Sequence, residues 1–69
     1  MGYRYFWIRS DGQVVEITLD DFERLLGSNR LLVAVYEGRK WREVRFYKKG
    51  PTISVPADSL KSLLKMLER

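Results

Sequence analysis

Cysteine and histidine are both absent from this 69-residue chain, and that double absence bounds its fold more tightly than any motif in it. A domain of this size buries only about 60% of the surface its unfolded chain exposes. Small domains therefore usually add disulfides, a metal or oligomerisation to a modest core. With no thiols and no imidazoles the first two routes are closed, and the sequence predicts a single domain over residues 1–69 stabilised as a homodimer. Nothing suggests an oxidised, secreted scaffold. The aromatic, polar stretch Met1 to Arg9 lacks signal-peptide layout, and no apolar run reaches the roughly 20 residues needed to span a bilayer. The expected setting is the cytoplasm, with no membrane partner.

Hydrophobic periodicity orders the chain. Tyr3 to Arg9 is dense in β-favouring residues, Asp11-Gly12 reads as a hairpin turn, and Val14 to Leu19 alternates as the returning strand. Asp20 with Glu23 makes a capping box for a short helix carrying Phe22, Leu25 and Leu26 on one face, ended by Gly27. Leu31 to Tyr36 reads as a buried strand, Glu37 to Arg39 as a second turn, and Trp41 to Tyr47 as its return. After Lys49, Gly50 and Pro51, a last strand is expected at Thr52 to Val55. Pro56 to Asp58 open a helix whose Leu60, Leu63, Leu64 and Leu67 recur at helical spacing.

Setting residue n beside n+38 aligns the halves as a ββα pseudo-repeat, 3–27 and 41–67. Ile8 falls with Phe46, Gly12 with Gly50, Val15 with Ile53, Ile17 with Val55 and Asp20 with Asp58. Side chains alternate along a strand, so this register predicts one face built from Phe6, Ile8, Val15, Ile17, Leu19, Val44, Phe46, Ile53 and Val55 and covered by both helices. The expected fold is α+β: a five-stranded, mainly antiparallel sheet with two helices on one face, in the order ββαβββα. The opposite face would present Tyr3, Tyr5, Trp7, Arg9, Glu16, Thr18, Trp41, Glu43, Arg45, Tyr47, Thr52 and Ser54. Tyr36 stands at its margin. The strand at residues 31–36 is apolar on both sides and sets no register.

The residue inventory argues against catalysis. No side chain titrates near neutral pH as histidine would, no thiol is present, and Asp20 and Asp58 sit where helices begin, as capping residues do. The glycines are isolated turn or cap positions and spell no phosphate loop. Charge is more informative. The chain carries a net +4, with Arg39, Lys40, Arg42, Arg45, Lys48 and Lys49 opposed in their stretch only by Glu43. Such a segment attracts polyanions, although it also serves plain solubility.

An exposed antiparallel face is usually polar, so rings interleaved with arginines call for a partner. Unpaired bases stack on flat rings while cations hold phosphates. The sequence therefore points to single-stranded DNA or RNA, with Tyr5, Trp7, Trp41 and Tyr47 stacking and Arg9, Arg39, Lys40, Arg42, Arg45, Lys48 and Lys49 on phosphates. No metal or small-molecule cofactor is expected. The alternatives are a protein-interaction module, such as a small regulator or inhibitor, using the same face as a Trp-, Tyr- and Arg-rich hot spot, and a purely structural dimer interface.

Lys49-Gly50-Pro51-Thr52-Ile53-Ser54-Val55-Pro56-Ala57 and the leucine helix after it resemble the last strand and helix of PUR repeats, and of the Whirly and positive-cofactor-four single-strand binders. The resemblance covers roughly residues 41–68. It implies a curved antiparallel sheet backed by a helix, dimerisation, and single-stranded nucleic acid on the sheet side that carries Trp41, Arg45, Tyr47, Lys48 and Lys49. The helix at 20–26 departs from it, since those repeats keep a run of four strands there.

Overall fold

The computed structural model describes residues 2–49 and 54–68. It shows an α+β fold with one antiparallel sheet and two helices. The elements are β1 (Gly2–Ile8), β2 (Val14–Ile17), α1 (Leu19–Leu25), β3 (Leu31–Glu37), β4 (Arg42–Tyr47) and α2 (Ala57–Leu67). The sheet order is β2-β1-β3-β4, so β1 and β3 form its centre. The order is thus ββαββα with four strands among the described residues, not five. Of the expected last strand, Thr52 and Ile53 lie outside the described residues, as do Gly50 and Pro51, while Ser54 and Val55 form no strand. No helix among the described residues is long and apolar enough to cross a membrane.

The larger correction concerns the faces. The helices lie on opposite sides of the sheet. Leu63 and Leu67 of α2 pack with Phe6, Ile8, Leu31, Val33 and Val35, joined at the margin by Val14, Phe46, Val55 and Met66. Phe22 of α1 packs instead with Leu32 and Ala34, and with Tyr5, Trp7, Ile17 and Leu25. The face expected to be open is therefore the one α1 covers. The 38-residue register also misplaced β2 by one residue. In the ladder Trp7 stands opposite Val15 and Tyr5 opposite Ile17, whereas Phe6 stands opposite Glu16 and Ile8 opposite Val14. A one-residue slip turns a whole strand over. Val15 and Ile17 thus belong with the aromatic side, Glu16 with the α2 side, and Leu19 opens α1 half exposed.

Local chemistry accounts for the ends. At the first hairpin the Gln13 N–H donates to Asp11 Oδ1 at 3.0 Å, and Gly12 takes φ +91°, a conformation glycine reaches without a Cβ penalty. Helix α1 is capped by Thr18, whose Oγ1 accepts the Asp21 N–H at 3.2 Å, so Asp20 occupies the first turn instead of the cap. Helix α2 is rotated from its expected phase. It buries Ser59, Leu63 and Leu67 and leaves Leu60 and Leu64 at 38% and 55% exposure. Its start is pinned by the Ser59 hydroxyl, which donates to the Gly12 carbonyl at 2.8 Å. Its end is held by Arg42, whose Nη2 donates to the Leu67 carbonyl at 3.4 Å. The helix accordingly crosses the sheet from the β1–β2 turn to the start of β4.

Candidate nucleic-acid interface

Phe22 decides what remains of the aromatic face. Its ring stands 4.7 Å from Tyr5 and meets Tyr47 edge-on at 5.5 Å. Tyr5 is therefore packed against α1 and only partly presented to solvent. With Asp20, Asp21 and Glu23 on so short a helix, the middle of this face is also its most acidic part, which disfavours a phosphate chain laid straight across it. Two separate areas flank α1.

One lies beside the β3–β4 turn. Trp41 packs on Tyr36 at 4.7 Å, Tyr36 on Tyr3 at 5.1 Å, and Tyr3 stacks on Tyr5 at 6.1 Å. Trp41 and Tyr3 are 59% and 61% exposed. A Cβ on Gly38 would come within 3.1 Å of the Tyr36 ring and 3.3 Å of the Trp41 carbonyl, so the bare glycine lets this ring stack close. Arg39 and Lys40 are exposed in the turn. Arg45 reaches the same face but is bound by Glu43, and that hydrogen bond raises its pKa above the ordinary arginine value.

The other area lies at the opposite end of the sheet. Ladder geometry builds it: Ile8 stands opposite Leu31 and Leu32 opposite Tyr47, so continuing the registers just past the strand ends, one step for Arg9 and Arg30 and two for Lys49, sets these three residues in a row. The Arg9 and Arg30 guanidiniums lie 5.7 Å and 5.6 Å from the Trp7 ring centre, within cation–π range. A groove of about 590 Å³ is lined by Trp7, Arg9, Asn29, Arg30, Lys48 and Pro56 among others. A second, of about 500 Å³, shares Arg30 and Lys48 and adds Tyr47, Lys49, Phe46 and Leu26. Neither lining contains a carboxylate. Arg9 also forms an ion pair with Asp11 at 3.9 Å.

No family model, curated protein or solved structure matches this chain.

The eleven residues singled out in the sequence thus fall into distinct places. Trp7, Arg9, Tyr47, Lys48 and Lys49 gather at one end, and Arg39, Lys40, Trp41 and Arg45 lie towards the other. Tyr5 is covered by α1. Arg42 is on the α2 side, paired with Glu37 at 3.5 Å as well as with the end of α2. Three residues escaped the sequence reading as site members. Tyr3 and Tyr36 complete the Trp41 stack, and their alternation marked the face without marking the stack. Arg30 is read as loop until the pairing of β1 with β3 sets it across from Arg9. Among the described residues no three acidic side chains gather as a metal site.

Proposed function

We infer that the chain acts by binding single-stranded DNA or RNA, through the end of the sheet built by Trp7, Arg9, Arg30, Tyr47, Lys48 and Lys49. The observation that carries the reading is the pair of adjoining grooves there, which share Arg30 and Lys48, are lined by four cations and by the rings of Trp7, Phe46 and Tyr47, and contain no carboxylate. Rings give unpaired bases a stacking surface worth about 1–3 kcal/mol per base, and cations take the phosphates. On binding, Arg9 and Arg30 exchange their contact with Trp7 for phosphate oxygens, which match the guanidinium fork. A duplex fits less well, because its bases are already stacked and leave the rings no unpaired base to meet.

Titrating the protein with mixed-sequence single strands while following tryptophan fluorescence tests this. Quenching is expected at about 50 mM salt and, for the four cations of the grooves on a single strand, a loss of affinity of about fiftyfold by about 200 mM. Trp7→Leu is expected to remove most of the signal, and Arg30→Ala to lower the salt slope by about one. Absence of binding at the lower salt, or quenching that survives Trp7→Leu, would falsify the assignment.

A protein-binding reading has one observation on its side. The stack of Tyr3, Tyr36 and Trp41 is exposed, and tryptophan and tyrosine are the residues that dominate protein hot spots. Affinity for such a partner would respond weakly to salt.

A further inference from the structure

The outer edge of β4, beyond which no strand lies among the described residues, is self-complementary, and we propose that two copies of the chain pair antiparallel along it, with Val44 on the two-fold axis. The backbone supplies the first argument. Directly opposed residues in an antiparallel ladder alternate between exchanging hydrogen bonds and exchanging none. The Gly38 N–H donates to the Trp41 carbonyl at 2.9 Å, which sets Trp41, Glu43, Arg45 and Tyr47 as the residues bonded to β3. The Arg9 N–H donates to the Gln13 carbonyl at 2.8 Å, and counting across the β1–β2, β1–β3 and β3–β4 registers from that bond returns the same phase. Arg42, Val44 and Phe46 therefore aim their N–H and C=O groups away from the sheet, and among the described residues no strand lies beyond them.

The side chains supply the second argument. Pairing about Val44 sets each Glu43 opposite the partner's Arg45, each Arg42 opposite the partner's Phe46, and Val44, itself 36% exposed, against its own copy. Opposed residues share a face, so both Glu43–Arg45 contacts form on the aromatic side and both Arg42–Phe46 contacts on the α2 side. Other registers fail on charge or length. A shift in one direction centres the seam on Glu43 and in the other on Arg45, which sets like charges face to face. The next shifts centre it on two Arg42 side chains or on Phe46, with fewer residues paired. The other outer strand, β2, has four residues against six for β4, and shortness protects an edge from such pairing.

The pairing also brings Trp41, Arg39 and Lys40 of one copy alongside Tyr47, Lys48 and Lys49 of the other, joining the two areas that α1 separates within one chain. That consequence rests on the nucleic-acid reading. The dimer itself does not, and its test contains no nucleic acid.

The test is mass by light scattering or sedimentation on the wild type, on Glu43→Arg and on Arg45→Glu. Arg45 is exposed and Glu43 half-buried, and circular dichroism checks the fold. The wild type is expected at twice 8.2 kDa. Each single variant turns both cross-strand contacts into like-charge pairs, so its self-association is expected to weaken roughly tenfold or more. A one-to-one mixture is the decisive arm, because an arginine-bearing edge then meets a glutamate-bearing edge at both contacts and the dimer should return. A wild type that stays at 8.2 kDa up to about 1 mM chain, single variants that dimerise as well as the wild type, or a mixture that stays monomeric each overturns the proposal.

Discussion

At Ser59 a single hydroxyl ties the C-terminal helix to the first hairpin. It is fully buried, and its partner is the carbonyl of Gly12, the residue that makes the turn possible. Removing it leaves that carbonyl without the hydroxyl donor, so Ser59→Ala is expected to cost about 1–2 kcal/mol in chemical denaturation; an unchanged midpoint would show that water replaces the bond. Arg4 is the charged counterpart. It lies over the Phe6 ring at 5.3 Å and pairs with Glu16 at 2.9 Å and Glu37 at 3.4 Å, and the Glu16 hydrogen bond is the main reason its pKa stands above the ordinary arginine value. An arginine laid on a core ring shields apolar surface through its stem as well as its charge. Neither the Ser59 bond nor the ion pairs of Arg4 are legible in the sequence, because each joins segments distant along the chain.

The two helices differ from their sequence reading in phase, not existence. For α2, four leucines at helical spacing were the visible signal, yet the helix settles with Ser59, Leu63 and Leu67 inward. The physical reason is that the Ser59–Gly12 bond and the Arg42 contact fix both its ends. Leu63→Ala is expected to lose about 2–5 kcal/mol, whereas Leu64→Ala should stay within about 0.5 kcal/mol. Comparable losses in thermal unfolding would return the helix to the leucine-stripe phase. For α1 the cap is Thr18, two residues before the Asp20–Glu23 pair that mimics a capping box. Thr18→Ala should cost about 1 kcal/mol by denaturant midpoint, and Asp20→Ala distinctly less.

For the whole molecule, the decisive fact is that the sheet is covered on both sides. Strand β3 is buried along Leu31 to Val35 without a break, and its amides are expected to exchange slowest with solvent deuterium, ahead of β2 and α1, which close less apolar surface. Equal protection in β2 and β3 would count against a core centred on β3. That unbroken run LLVAV was the one sequence sign that both faces are covered, since a half-exposed strand alternates and a doubly buried one does not. The class of fold, the two hairpins, the existence of two helices, and the basic and aromatic character of β4 and its flanks follow from the sequence, because periodicity and turn chemistry are local. Which side each helix takes, the register of β2, the packing of Tyr5 against Phe22 and the gathering of Arg9, Arg30 and Lys49 were settled only by tertiary structure. Each depends on strands distant in sequence lying edge to edge, and a shift of one residue in that pairing exchanges the faces.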